Sequence, residues 1–117
     1  MDLVEKIEGS PQAPVVVLFG GSPYRRDEVI RLIAQTGDVT VHGTLSEEEG
    51  MAKIEELDRK VDLVLIGGRY SAEQRERIQN WLTENVPGVE LSQPGVEYAY
   101  SDENIQRDIK QKLNTLK

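Results

Sequence analysis

Two glycine pairs are the residues of this chain with the clearest potential for chemistry. Gly20-Gly21 follows the apolar run 15–19, and Gly67-Gly68 follows the apolar run 61–66. Glycines at the end of a strand let a ligand approach the backbone closely. The first pair also leads into Ser22-Pro23, a helix start at which free amides and the helix dipole favour an anion. The two pairs therefore predict a site that binds an anion through the main chain.

Three arginines accompany these glycines. Arg25 and Arg26 fall in the first turn of the helix that begins near Pro23, and Arg69 directly follows the second pair. Arg26 precedes the buried positions of that helix by three or four residues, which directs its side chain towards the predicted site. Ser92, at the end of a later strand, completes the candidate set. The candidate ligand-binding residues are Gly20, Gly21, Ser22, Arg25, Arg26, Gly67, Gly68, Arg69 and Ser92.

Each candidate also has a purely structural interpretation, and the sequence leaves both open. A Gly-Gly pair after a parallel strand also makes a tight turn into a helix. Serines before helices act as caps. The arginines have carboxylates nearby with which to form surface ion pairs, at Asp27, Glu28 and Glu73.

The pattern of elements that must position these residues is that of an α/β protein. Continuous apolar runs at 15–19 and 61–66 are typical of strands buried on both faces, as in a parallel sheet. The alternating segment 39–43 predicts an edge strand, and 89–92 predicts a short fourth strand. Helices are predicted after Ser22, Ser46, Ser71 and Ser101, all suitable N-caps.

We therefore predict a three-layer αβα, doubly wound parallel sheet of the flavodoxin-like type, forming one α/β domain over residues 1–117. Counting the four predicted strands along the chain, their order in the sheet is 2-1-3-4. Residues 1–14 are predicted as an N-terminal arm or a short helix over 2–8. The segment 95–100 is left open between a short fifth strand and a loop.

Composition excludes several classes of function. The chain has 14 basic and 21 acidic residues, a net charge of −7, which argues against binding to nucleic acid or to an anionic membrane. It has no cysteine and one histidine, His42, so thiolate and multi-histidine metal sites are excluded. The N-terminus is too charged for a signal peptide, and we expect a cytoplasmic protein.

The familiar catalytic and nucleotide-binding fingerprints are missing. The segment 20–25 does not match the dinucleotide-binding glycine pattern, and the chain has neither a P-loop nor a nucleophile elbow. We therefore predict no catalytic residue, no metal and no cofactor. Whether the protein is an enzyme is left open, with the balance against it.

Two stretches resemble the receiver domain of bacterial response regulators. Residues 46–51 (SEEEGM) and 61–66 (VDLVLI) are similar to the receiver's S-x-E-E-A and P-D-L-V-L-x-D region, and the order of elements is similar over 15–93. Receivers place an acidic pair after their first strand, where this chain has Gly20-Gly21, and a phospho-accepting aspartate where it has Gly67. Ser92 matches the family's switch Ser/Thr, and its lysine has no clear counterpart. The resemblance implies a degenerate receiver-like domain without phosphotransfer.

Two functions follow as hypotheses. The first is a non-catalytic regulatory or protein-interaction module, acting through a protein partner or as a homodimer. The alternative is a binder of a small anionic ligand, a nucleotide or sugar phosphate, at the carboxyl edge of the sheet.

Overall fold

The computed structural model describes residues 3–116 and has five strands and four helices within them. Met1, Asp2 and Lys117, which belong to the predicted arm and domain, lie outside the described residues. In chain order the elements are β1 (Lys6–Ile7), β2 (Val15–Phe19), α1 (Pro23–Ala34), β3 (Thr40–Thr44), α2 (Glu47–Glu56), β4 (Leu63–Ile66), α3 (Ala72–Asn85), β5 (Glu90–Ser92) and α4 (Asp102–Thr115).

The sheet is mostly parallel, and its order is β1-β3-β2-β4-β5. The four predicted strands keep their predicted relative order 2-1-3-4, here β3-β2-β4-β5, but the unpredicted β1 adds a fifth strand beside β3, so the full order differs from the prediction. The short strand β1 runs antiparallel to β3, while the pairs β3–β2, β2–β4 and β4–β5 are parallel. Apolar spacing at Leu3, Val4 and Ile7 suggested a helix over 2–8, but residues 6–7 are a strand instead. The spacing is helix-like because Val4 and Ile7 both pack against the core.

Strand β1 also corrects the prediction that 39–43 is a half-exposed edge. Four of the five β3 residues are buried, and the hydroxyls of Thr40 and Thr44 form hydrogen bonds within the fold. The Gly9 amide donates to the Thr40 hydroxyl, and the Thr44 hydroxyl donates to the Leu18 carbonyl. The Glu5 carbonyl accepts from the Gly43 amide at 2.7 Å, which fixes the arm beside β3. The two threonines are therefore polar because of internal hydrogen bonds, while His42 lines a cavity beside the N-terminal arm.

Residues 95–100 do not form a fifth strand. The Gly95 amide donates to the Tyr98 carbonyl at 2.8 Å, and the Val96 amide donates to the Gln93 carbonyl at 3.0 Å. Gly95 has a φ of 84°, in the left-handed region that favours glycine. The segment is therefore a tight turn between β5 and α4.

The helices cover both faces of the sheet, giving three layers. On one face α1 and α4 pack on residues from β2, β3 and β4, and on the other α2 and α3 pack on β2 and β4. Each central strand alternates between the two cores, since Leu18 lies in the first and Phe19 in the second. No helix within residues 3–116 is long and apolar enough to cross a membrane.

Three of the four helices begin with a serine whose side chain caps the helix. The hydroxyl oxygens of Ser46, Ser71 and Ser101 each accept from the backbone amide three residues later. Ser22, at the start of α1, makes no such hydrogen bond. The amino end of α1 is therefore the one that lacks a side-chain cap.

Candidate functional site

A cavity of about 530 Å³ opens at the carboxyl ends of β2 and β4, and we call it the edge cavity. Its size falls in the range of small-molecule sites, and sheets of this kind bind ligands at this edge. Its floor is apolar and comes from both central strands and from two helices: Leu18, Val29, Leu65 and Ile105. Its upper wall is formed by the two Gly-Gly turns, the start of α1 and the turn before α4.

The structure brings eight of the nine predicted site residues to this cavity. They are Gly20, Gly21, Ser22, Arg25, Arg26, Gly67, Gly68 and Arg69. Ser92, the ninth, does not line it, because the side chain is fully buried elsewhere. Its hydroxyl donates to Asp108 at 2.6 Å and lies 2.8 Å from the hydroxyl of Tyr98. Ser92 holds β5 against α4 and the turn at 95–98.

The two glycines of each pair have different environments. A Cβ on Gly20 would lie 3.2 Å from the Thr44 carbonyl oxygen, and one on Gly67 would lie 3.0 Å from the Phe19 carbonyl oxygen. The backbone amides of Gly20 and Gly67 donate to those same carbonyls. The first glycine of each pair thus allows neighbouring strands to stay close. For Gly20 and Gly67, the structural interpretation as residues of a tight turn therefore applies.

The second glycines, Gly21 and Gly68, meet side chains rather than backbone. A Cβ on Gly21 would come within 3.4 Å only of the Arg69 side chain, and one on Gly68 would contact the Tyr100 ring at 3.1 Å. Neither has a positive φ. Their lack of a side chain leaves the upper wall of the edge cavity open to a ligand.

Arg25 is tied to neighbouring carboxylates and to an aromatic ring. Its guanidinium donates to Asp102 at 2.6 Å, to Glu28 at 3.2 Å and to the Tyr100 hydroxyl at 2.9 Å. The guanidinium carbon lies 5.4 Å from the centroid of the Tyr100 ring. Burial opposes the charge, but these hydrogen bonds raise the pKa of Arg25 above its ordinary value. Arg25 is a fixed cation that joins α1 to the start of α4.

Arg26 is only 7% exposed and lies across β3. Its Cγ and Cδ lie 2.8 Å from the position that a Cβ on Gly43 would take, so Gly43 makes room for it. Nη2 lies 3.5 Å from Glu5, a long contact. The buried Nε has no hydrogen-bond partner within the described residues. The guanidinium end of Arg26 therefore points towards Glu5 and the cavity that the two residues line beside the N-terminal arm, although Arg26 also lines the edge cavity.

Arg69 has neither a hydrogen bond nor an ion pair to the described part of the chain. It is exposed, and its Cδ lies beside Gly21, so its charge stands between the two Gly-Gly turns. The neighbouring carboxylate considered for it, Glu73, does not pair with it in residues 3–116. Among the three arginines, Arg69 is the one whose charge remains available to a ligand.

Two residues that hold the site together were not among the predicted candidates. The Tyr70 hydroxyl donates to the Gly20 carbonyl at 2.9 Å, which joins the second turn to the first, and burial raises the pKa of Tyr70 to about 12. Arg75, on α3, donates to the carbonyls of Gly67 (2.7 Å) and Tyr70 (3.2 Å) and to Gln93 (3.1 Å). Burial without a carboxylate lowers the pKa of Arg75. These two side chains fix the shape of the second Gly-Gly turn.

A sequence signal for Arg75 existed. It shares the buried face of α3 with Ile78 and Leu82, three and seven residues further on. A charged residue on an otherwise apolar stripe indicates an internal hydrogen-bonding role. Tyr100 had no comparable signal, because its position in the wall depends on its contact with Arg25, 75 residues away.

His42 lies outside the edge cavity, in a second cavity of about 340 Å³ beside the N-terminal arm. Burial and the positive charges of Lys6 and Lys53 lower its pKa from the ordinary 6.5, although Glu56 and Glu8 act in the opposite direction. His42 is therefore neutral in the folded protein under conditions in which an unfolded chain already protonates it.

This placement predicts a loss of stability in mild acid. Between the lowered pKa and 6.5 the unfolded chain binds more protons than the folded one, so the free energy of unfolding falls as pH falls. We expect urea unfolding to show a larger decrease between about pH 7 and pH 5.5 for the parent protein than for His42→Gln. Equal decreases in the two proteins would exclude His42 as the group responsible.

Metal ligands do not cluster in the structure: within residues 3–116 no three His, Asp or Glu side chains lie in an arrangement that could hold an ion.

Comparison with models of protein families, with curated proteins and with solved structures finds no match to this chain. The resemblance to receiver domains stays a prediction made from the sequence.

Proposed function

We propose that this protein is a non-catalytic binding module that holds a small anionic ligand in the edge cavity. One observation carries the proposal. In a chain with 21 acidic and 14 basic residues, the described lining of this cavity contains three arginines and no carboxylate. Arg25 and Arg26 are paired with carboxylates outside this lining, so the positive charge that remains for a ligand is that of Arg69.

The main chain supports the same assignment. The amino end of α1 has no side-chain cap and opens beside Gly21, where the helix dipole is favourable to negative charge. Gly21 and Gly68 leave the backbone accessible, and Arg69 stands between them without a partner in the described residues. An anion at this point would receive main-chain and guanidinium hydrogen bonds together.

The lining favours binding over catalysis. It contains no histidine, lysine or carboxylate among the described residues that could act as a general base. The hydroxyls of Tyr70 and Tyr100 already take part in hydrogen bonds with Gly20 and Arg25. The parallel pairings of β2, β3, β4 and β5 support the flavodoxin-like arrangement as part of this proposal, with the ligand at the crevice between β2 and β4.

Titration with four anions tests the proposal. The probes are inorganic phosphate, ribose 5-phosphate, adenosine monophosphate and phenyl phosphate, followed by backbone amide chemical shifts in NMR spectra. We expect at least one to shift the amides of Gly21 and Arg69. Because a hydrogen bond to a charged group contributes about 1.5–3 kcal/mol, Arg69→Gln should raise Kd about tenfold or more.

Arg107→Gln is the matched control. It removes the same charge from an exposed arginine on α4 that lines none of the cavities described, and its Kd should stay at the parent value. If none of the four probes binds, or if both variants weaken binding equally, the edge cavity is not an anion site.

A second candidate is an interaction module, which the receiver resemblance implies. Large apolar side chains are exposed near the edge cavity, with Tyr24 at 72%, Val96 at 60% and Tyr100 at 48%. Tyr24 adjoins Arg25 in sequence, and Arg25 contacts Tyr100, so the amino ends of α1 and α4 present aromatic surface together. A failure of all four anions would favour this candidate.

A further inference from the structure

The edge cavity has two chemically different ends. The upper wall offers amides and Arg69, whereas the floor consists of four aliphatic side chains: Leu18, Val29, Leu65 and Ile105. The floor residues are almost wholly buried and belong to the first core. A ligand that fills this space must therefore combine a charged group with an apolar part.

Tyr100 adds an aromatic ring to the wall between these two ends. The Arg25 guanidinium lies against the ring, and the ring edge approaches Gly68. Nearly half of the residue is exposed, so the ring remains available for contact. Aromatic side chains in this position pack well against planar rings, and the nearby guanidinium adds to that preference.

The hydrogen-bonding groups of the lining argue against a ligand rich in hydroxyls. No Asp, Glu, Asn or Gln side chain lines the edge cavity in residues 3–116. Sugar hydroxyls are donors, and the side-chain acceptors of this lining are the hydroxyls of Ser22, Tyr70 and Tyr100, of which the two tyrosines are already engaged. Burying several sugar hydroxyls with so few acceptors is costly. An aromatic ring carries no such cost when it is placed on an apolar floor.

We propose that the ligand is an anion carried by an aromatic ring rather than a sugar phosphate, a proposal that rests on the proposed function. The anionic group lies at the Gly-Gly turns with Arg69. The ring lies between Tyr100 and the floor.

Two pairs of probes isolate the contribution of the ring. Adenosine monophosphate differs from ribose 5-phosphate by its base, and phenyl phosphate differs from methyl phosphate by its ring. In at least one pair we expect the aromatic member to bind tenfold or more tightly, because stacking on an aromatic side chain typically contributes that much. Methyl resonances of Leu18, Val29, Leu65 and Ile105 should shift with the aromatic member only.

Tyr100→Ala should remove most of this preference while leaving the affinity for methyl phosphate nearly unchanged. Tyr24→Ala is the control, since Tyr24 is more exposed, adjoins the same arginine in sequence and does not line the cavity. If neither aromatic probe binds more tightly than its non-aromatic partner, the inference is overturned and the anion site stands. If no probe binds at all, both proposals fail.

Discussion

Gly50→Ala is expected to lower the free energy of unfolding by about 1–3 kcal/mol, although alanine is normally the better helix residue by up to ~1 kcal/mol. Gly50 lies on the buried face of α2, and a Cβ there would overlap the Phe19 ring. Phe19 cannot simply turn away, because it is fully buried and packs edge-to-face with Tyr70 at 6.3 Å. Overpacking therefore outweighs the gain in helix propensity.

A double-mutant cycle with Phe19→Leu tests this explanation by urea unfolding. Phe19→Leu should destabilise the parent protein, but it should cost less in the Gly50→Ala background because the smaller side chain makes room for the new methyl group. The coupling should exceed the ~0.5 kcal/mol scatter expected for independent sites. Additive costs would mean that the destabilisation has another origin than the contact with Phe19.

The second large change in stability is expected for Arg75→Met, which should lower the free energy of unfolding by about 2–3 kcal/mol. The methionine keeps most of the side-chain volume but leaves the carbonyls of Gly67 and Tyr70 without the donor that now satisfies them. Arg75 has no carboxylate partner in residues 3–116, so removing its guanidinium does not leave a buried carboxylate unpaired. The second Gly-Gly turn should loosen, and affinity for any anion that binds the edge cavity should fall with it.

Arg77→Met, two residues away on the same helix, is the matched control. Arg77 donates to both carboxylate oxygens of Glu47, at 2.8 and 2.9 Å, but the pair is on the surface and should contribute less than about 1 kcal/mol. Unfolding in urea measures both variants. If Arg77→Met proved as destabilising as Arg75→Met, the internal hydrogen bonds of Arg75 would not be what stabilises the turn.

The sequence was informative where a pattern is local. The apolar runs at 15–19 and 61–66 each become a central strand, and the glycine pairs that end them line one cavity. Strand β1 was missed because two residues carry no periodicity and its pairing with β3 spans more than 30 positions. The alternation at 39–43 was misleading for the same reason, since the strand β1 that covers it and the Gly9 amide that bonds Thr40 are both distant in sequence.

The candidate site was predictable in its location and not in its internal connections. Which arginine is available to a ligand depends on long-range ion pairs. Arg25 pairs with Asp102, and Arg26 lies near Glu5. Arg69 forms no ion pair with a described carboxylate. Ser92 failed to reach the cavity because Asp108, 16 residues later on α4, accepts its hydrogen bond. Such contacts arise only when helices and strands pack.

The N-terminal strand has a consequence for the behaviour of the protein at high concentration. An uncovered strand edge is a template for pairing with another chain, and β3 would present such an edge if β1 were displaced. The arm is held by the Val4 amide on Asp27, by the pairing of Lys6 and Ile7 with β3, and by the Gly9 amide on Thr40. Lys6, on this outermost strand, adds the charge that natural sheets use to discourage edge-to-edge association. The short arm thus covers an edge of β3 that would otherwise be free to pair with another chain, and it does so away from the cavity on the carboxyl side of the sheet.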